Sequence, residues 1–305
     1  MRKLLYILLV LCLFSCLEKE IPFESKDAKT LLALSATFST DSLMTVYLAP
    51  TKSVIGKDVV IKRFTGNQAS VDVYQGDVLL ESLIYNENKK GFVGSIKPLQ
   101  GKSYTIKAKA DKLDAVEAKV EMPELVEIYG VSKLVETISD SYEDRKFSIS
   151  FNDPSAKSFY KLSVYSVSGY NDYDNKVVKS VKIIPFTSKD AVFSGKSDAL
   201  GDAFDDEYSN LFGVFTDEFI GESNYTIDVN LVSYELDTYS EYFKLFVSLQ
   251  SVSEDYYLFL KSRELQMEED DSPFSEPVQI WSNVRGGAGI AAAYSVSTKE
   301  IIVDK

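Results

Sequence analysis

The sequence predicts a mainly β protein: an N-terminal immunoglobulin-like or fibronectin-type-III-like β-sandwich, then a larger β-rich C-terminal domain that carries one amphipathic helix. Three observations predict it. Nineteen tyrosines and eighteen phenylalanines accompany a single tryptophan in a chain with abundant Val, Ile, Thr and Ser, the residue types that suit the pleated surface of a strand. Apolar and polar residues alternate in short runs bounded by turn residues. One segment alone breaks this pattern, with apolar residues at helical spacing.

In chain order, Arg2 and Lys3 precede the apolar run from Leu4 to Phe14, which is too short to span a bilayer and reads as a secretory signal over residues 1–15. Leu13-Phe14-Ser15-Cys16 follows the pattern at which bacterial lipoproteins are diacylated and cut, so Cys16 is expected to become the first, lipidated residue. More than one acyl chain makes such an anchor stable. Glu18, Lys19 and Glu20, with Glu24 and Asp27 behind them, resemble the export signal that moves Bacteroidetes lipoproteins to the outer face of the outer membrane. Residues 16–28 are thus expected to form a lipidated N-terminus and linker, with the chain held at the cell exterior.

Cleavage before Cys16 removes Arg2 and Lys3 and no acid, so the formal charge moves from −13 to −15. On that total, nucleic acid and anionic lipid headgroups are expected to be repelled. Cys12 leaves with the signal and Cys16 carries lipid, so no thiol is left for a disulfide or a nucleophile. The chain has no histidine, which excludes Ser-His-Asp and Cys-His catalysis and His-ligated zinc. Carboxylate pairs, lysine-assisted serine chemistry and oxygen-ligated calcium or magnesium remain open; no cofactor is expected.

Residues 29–122 are expected to form the sandwich. Leu32, Leu34, Ala36 and Phe38 alternate, then Leu43, Thr45, Tyr47 and Ala49. Val71 and Val73 lead through Gln75-Gly76-Asp77 into Val78, Leu80, Ser82 and Ile84, which reads as a hairpin. Phe92 to Ile96, Tyr104 to Ala108 and Ala115 to Val120 complete about seven or eight strands, a sandwich count. Leu99 to Tyr104 has the spacing of a tyrosine corner, in which the hydroxyl bonds back to the chain. Met122-Pro123 ends the block.

Residues 123–305 continue as strands near Val126–Leu134, Lys146–Phe151, Phe159–Val167, Val177–Ile184, Tyr225–Val232 and Tyr242–Leu249, with Asn152-Asp153-Pro154 as a turn. Ser253 precedes Glu254 and Asp255, and Tyr256, Phe259, Leu260, Arg263 and Met267 recur at helical spacing, so a helix is expected over 253–267. Acids at Asp198 to Glu207, Asp217 and Glu218, and the pair Asp172 and Asp174, offer oxygens to calcium but lack the glycine and spacing of a calcium loop. Two of these carboxylates would suit a glycosidase only if placed about 5 to 9.5 Å apart. Trp281, Tyr234, Tyr239 and Tyr242 suit either core or an aromatic platform.

From Ser272 the chain runs Pro273-Phe274-Ser275-Glu276-Pro277-Val278-Gln279-Ile280-Trp281-Ser282-Asn283-Val284-Arg285-Gly286-Gly287-Ala288-Gly289-Ile290, then Tyr294-Ser295. With Tyr256-Tyr257 upstream and the order lipobox, sandwich, proline at the front, it resembles the Bacteroidetes lipoproteins of domain of unknown function 4249. That resemblance implies an outer-membrane lipoprotein associated with TonB-dependent transport, and it brings no catalytic residue. Gly286 to Gly289 is expected to turn tightly or pass close to another element before a last strand. The function expected is non-catalytic: ligand capture, or an accessory to a TonB-dependent transporter. A structural or adhesive surface lipoprotein and a carboxylate-dependent hydrolase are the alternatives.

Overall fold

The computed structural model describes residues 29–51, 62–133, 146–154, 156–171, 177–193, 208–209, 212–221, 223–231, 242–269 and 278–301. The strands are, in chain order, β1 (Leu32–Ser39), β2 (Thr45–Pro50), β3 (Ala69–Gln75), β4 (Val78–Ser82), β5 (Ile84–Asn86), β6 (Gly91–Val93), β7 (Ser103–Ala110), β8 (Val116–Glu121) and β9 (Ile128–Lys133). They continue as β10 (Lys146–Asn152), β11 (Phe159–Asn171), β12 (Val177–Ile184), β13 (Phe186–Ser188), β14 (Tyr208–Ser209), β15 (Val214–Thr216), β16 (Asn224–Leu231) and β17 (Tyr242–Val252). Helix α1 (Glu254–Glu269) separates these from β18 (Val284–Arg285) and β19 (Ala288–Ile301).

One long sheet runs β12-β11-β17-β19-β1-β2-β6-β5, with β15 beside β11. Two five-stranded sheets cover different parts of its inner face, β18-β8-β7-β3-β4 and β14-β13-β16-β10-β9. Each covering sheet encloses its own core. Leu34, Phe38, Val46, Val73, Ile106 and Met122 belong to the first, and Phe147, Ile149, Phe151, Tyr160, Leu162 and Leu249 to the second. The protein is therefore mainly β, with two sandwiches that share one sheet.

The strand common to both is β19. Its first half pairs in parallel with β1, from Ala33–Ala288 to Ser39–Tyr294. Its second half pairs antiparallel with β17, from Val252–Tyr294 to Leu245–Ile301. Ala291 and Ala293 fill the first core and Ile301 the second. The sandwiches therefore stack end to end along this strand, and the first is completed by residues from the end of the chain. Between them the segment after Pro123 is fastened down: Ser295 Oγ donates to the Pro123 carbonyl at 2.7 Å, and Val126 and Ile128 donate to the hydroxyls of Ser251 and Ser297.

The tyrosine corner forms as its spacing predicts. Leu99 N–H donates to Tyr104 Oη at 2.9 Å, the ring is buried, and Gly101 sits at φ 65°. β1 buries the four residues that alternation selects. β2 does not: Met44, Val46 and Leu48 are buried, while Tyr47 faces outward beneath the Arg63 guanidinium at 4.3 Å. Both parities of that run are apolar, and cation–π packing on the outer face supplies the use for the second. Nor do β10 and β11 form a hairpin at Asn152-Asp153-Pro154, since the chain crosses there from one sheet to the other.

In the helix, Leu260 is buried as expected but Met267 is 47 % exposed. The inward place one turn earlier is taken by Glu264, 4 % exposed, which accepts from Lys261 Nζ at 2.7 Å. Ser253 Oγ turns towards β19 and accepts from Ala293 N–H at 3.2 Å, while Ser253 N–H donates to the Ala293 carbonyl. The serine thus extends the β17–β19 ladder into the first turn of α1.

Aromatic contacts dominate the second core. Tyr160 stacks on Phe215, with ring centroids 5.1 Å apart, and Phe151, Phe193 and Tyr225 close around them. Tyr160 donates its hydroxyl to Asp153, and Tyr225 donates to Asp190 at 2.8 Å. Burial first, then the acceptor carboxylate, pushes both hydroxyls far above the usual phenol range. Burial also raises Tyr256 and Tyr257 on α1. A phenol that ionises later in the fold than in the unfolded chain lends stability that is whole below pH 10.0, the ordinary value, and is lost as pH rises above it. Alkaline titration followed by phenolate absorbance and circular dichroism is expected to show these four tyrosines ionising together with loss of the β signal. Ionisation of all four before any unfolding would contradict their burial.

Candidate functional site

The site begins with the segment between α1 and β18. Trp281 donates its Nε1–H to Asp255 Oδ1 at 2.9 Å, and its backbone N–H to Ser262 Oγ at 2.9 Å. The ring is 42 % exposed, so it belongs to the surface and is nevertheless fixed to the helix at two points.

Asn283 is the hub. Its Oδ1 accepts from Ala291 N–H at 2.9 Å, and its Nδ2 donates back to the Ala291 carbonyl at 2.9 Å, as a neighbouring strand would. The same Nδ2 reaches the Lys119 carbonyl on β8 at 3.1 Å and Asp255 Oδ2 at 2.9 Å. One side chain therefore joins the long sheet, the first covering sheet and the start of the helix. It takes this place because β18 pairs with β8 over only two residues, Val284–Ala118 and Arg285–Glu117, leaving the β8 edge open just before them.

Beside the hub lies a groove made of two contiguous depressions of about 540 Å³ and about 320 Å³. Glu117, Lys119 and Asp255 line both. The outward residues of β3, β7 and β8 form its floor at one end, Tyr74, Thr105, Lys107 and Glu121 among them; Ser282, Asn283 and Arg285 close the other. Lys107 Nζ stands 5.0 Å above the Tyr74 ring and 3.6 Å from Glu117 Oε2. The walls present both signs of charge on a rigid β surface, which suits an extended polar ligand held by several hydrogen bonds.

Of the other candidate acids, the structure describes Asp217 and Glu218. Asp217 accepts from Ser158 N–H at 2.8 Å, holding the turn before β11 rather than facing a cleft. Asp153 is raised above the usual carboxylate range, chiefly by burial and further by Asp217, but it is taken up by the Tyr160 hydroxyl. Among the described residues no group of three or more acids forms a metal cluster. Cys16, Glu18, Lys19, Glu20, Asp172, Asp174, the stretch Asp198 to Glu207, Tyr234 and Tyr239 lie outside the described residues, as does the side chain of Tyr242.

The glycine run serves close approach and leads into a strand. A Cβ on Gly287 would stand 2.2 Å from the Leu32 carbonyl oxygen, and one on Gly289, at φ 110°, 2.0 Å from that of Leu34. Sequence reasoning placed Ser282-Asn283 within a recurring pattern without finding its role. The partners of Asn283 lie as far as 164 residues away, and no local signal reports them.

Fold and site together define a class: a two-sandwich β protein built on a shared strand, with an open polar groove beside the junction. The chain belongs to the family described as Domain of unknown function (DUF4249), whose model matches residues 18–300. No curated protein matches the chain.

Proposed function

We propose that this protein is a non-catalytic, surface-exposed lipoprotein of the outer membrane that captures a ligand or acts as an accessory to a TonB-dependent transporter. The groove carries this reading. Its walls come from three elements locked by Asn283, it is open along its length, and its polar side chains stand on strands, which favours recognition of a partner by a preformed surface. The Leu13-to-Cys16 pattern, the acids at Glu18 and Glu20 and the family resemblance support the location.

The test is recovery of partners from detergent-solubilised outer membranes. Wild-type protein is expected to bring down a transporter. The double variant Lys107→Glu, Lys119→Glu, both on the groove floor, is expected to reduce that recovery at least tenfold at unchanged expression, and Cys16→Ala to move the protein to soluble fractions. Equal recovery with the groove variant would remove the groove from the function. Turnover of a glycan or peptide lost on neutralising one acid would replace the reading with a hydrolase.

A further inference from the structure

The formal charge of −13 is distributed unevenly. Residues 29–133 carry fourteen Lys and Arg against twelve Asp and Glu, whereas residues 134–305 carry fifteen against thirty. Residues 29–133 are close to neutral and the rest of the chain holds the acidity.

At the far end of the first sandwich the charge is positive. β1 starts there: Leu31 and Thr51 exchange backbone and side-chain hydrogen bonds at 2.8 Å, and Lys29 pairs with Asp114 in the β7–β8 turn. Asp111 N–H donates to the Gln68 carbonyl, bringing the turn before β3 to the same end. Among the described residues, Lys62, Arg63, Lys109 and Lys112 are exposed around it, and Asp111 is the acid in no ion pair. Lys112 stands at the tip of its turn at φ 63°.

We propose that this end docks on the phosphate-bearing headgroups of an anionic lipid surface. The inference rests on the lipid-anchor reading in one respect. The chain between Cys16 and Lys29 is short, and twelve residues reach at most roughly 40 Å, so the anchor keeps this end within reach of the headgroups. Beyond a Debye length of about 8 Å the attraction is screened; the tether limits how far the basic end can leave that range.

The experiment uses the chain from Leu17 onward, which keeps the described fold and bears no lipid. It is mixed with vesicles of phosphatidylcholine alone or containing phosphatidylglycerol, and bound protein is measured by flotation. Binding is expected on anionic vesicles, to fall with added salt, and to be at least tenfold weaker on phosphatidylcholine. Replacing Lys62, Arg63, Lys109 and Lys112 by serine is expected to weaken it by roughly fivefold per residue, several hundredfold in all, with circular dichroism unchanged. Lys182→Ser with Lys189→Ser, on the second sandwich, is expected to leave it unaltered. Equal binding to both vesicles, no binding to either, or equal loss in both sets of variants overturns the proposal. Mass spectrometry of the mature protein from cells reads the anchor separately: an unacylated Cys16 defeats the lipoprotein reading and leaves the vesicle result standing.

Discussion

Gly289→Val is expected to prevent the long sheet from closing and to leave most of the protein insoluble. Gly289 pairs with Leu34, which is fully buried in the first core. Its φ of 110° disfavours any side chain, and a Cβ there would meet the Leu34 oxygen at 2.0 Å, the carbonyl carbon at 2.9 Å and the nitrogen at 3.2 Å. All three contacts are backbone, so no rotamer change relieves them. Either β19 separates from β1 or the strand distorts along its length, and a loss above about 4 kcal/mol follows. Against a domain stability of about 5–15 kcal/mol, that loss shows in yield as well as in urea midpoint. Gly221→Ala is the control: nothing lies within 4 Å of its added Cβ, so a change within about 0.5 kcal/mol is expected. A soluble Gly289→Val protein with wild-type midpoint would refute the parallel pairing.

Asn283→Leu is expected to cost about 3 kcal/mol and to loosen the groove. Leucine fills similar space, yet it leaves Ala291 N–H, the Ala291 carbonyl and the Lys119 carbonyl without the partners they have now. Each buried group so orphaned costs about 1–3 kcal/mol, partly offset where water reaches it. Asn283→Asp restores only the acceptor for Ala291 and sets a second carboxylate beside Asp255, so it is expected to be no better. Trp281 is the one tryptophan of the chain and is tied to the same Asp255. Its fluorescence therefore reports directly, with a red shift and easier quenching expected in both variants. Unchanged emission together with an unchanged urea midpoint would show that Asn283 does not hold the site.

What the sequence made legible was local. Tyr104 and the glycine before it lie within six residues of Leu99, and the whole corner is formed by that stretch. The helix announced itself because Tyr256, Leu260 and their neighbours repeat within one element. β2 shows the limit, since Met44, Val46 and Leu48 compete with Leu43, Tyr47 and Ala49 and the sequence carries no sign of which set faces Phe38. The pairing of β1 with β19 was further out of reach. Alternation identifies a strand but not its neighbour, and about 250 residues separate these two. The groove shares that difficulty, because Lys119, Asp255 and Asn283 each read as ordinary surface residues until the sheets bring them together.

The parallel pairing of β1 with β19 also decides how the molecule bears a load. A pull on the chain before β1, as the proposed anchor would exert, draws that strand one way, while a pull on the second sandwich draws β19 the other way, along its own direction. Two parallel strands pulled from opposite ends slide past one another, so the hydrogen bonds from Ala33–Ala288 to Ser39–Tyr294 share the force and must yield together. A hairpin at this position would open one bond at a time. The junction is thus a shear clamp, loaded along its strongest axis whenever the start of β1 and the second sandwich are pulled apart.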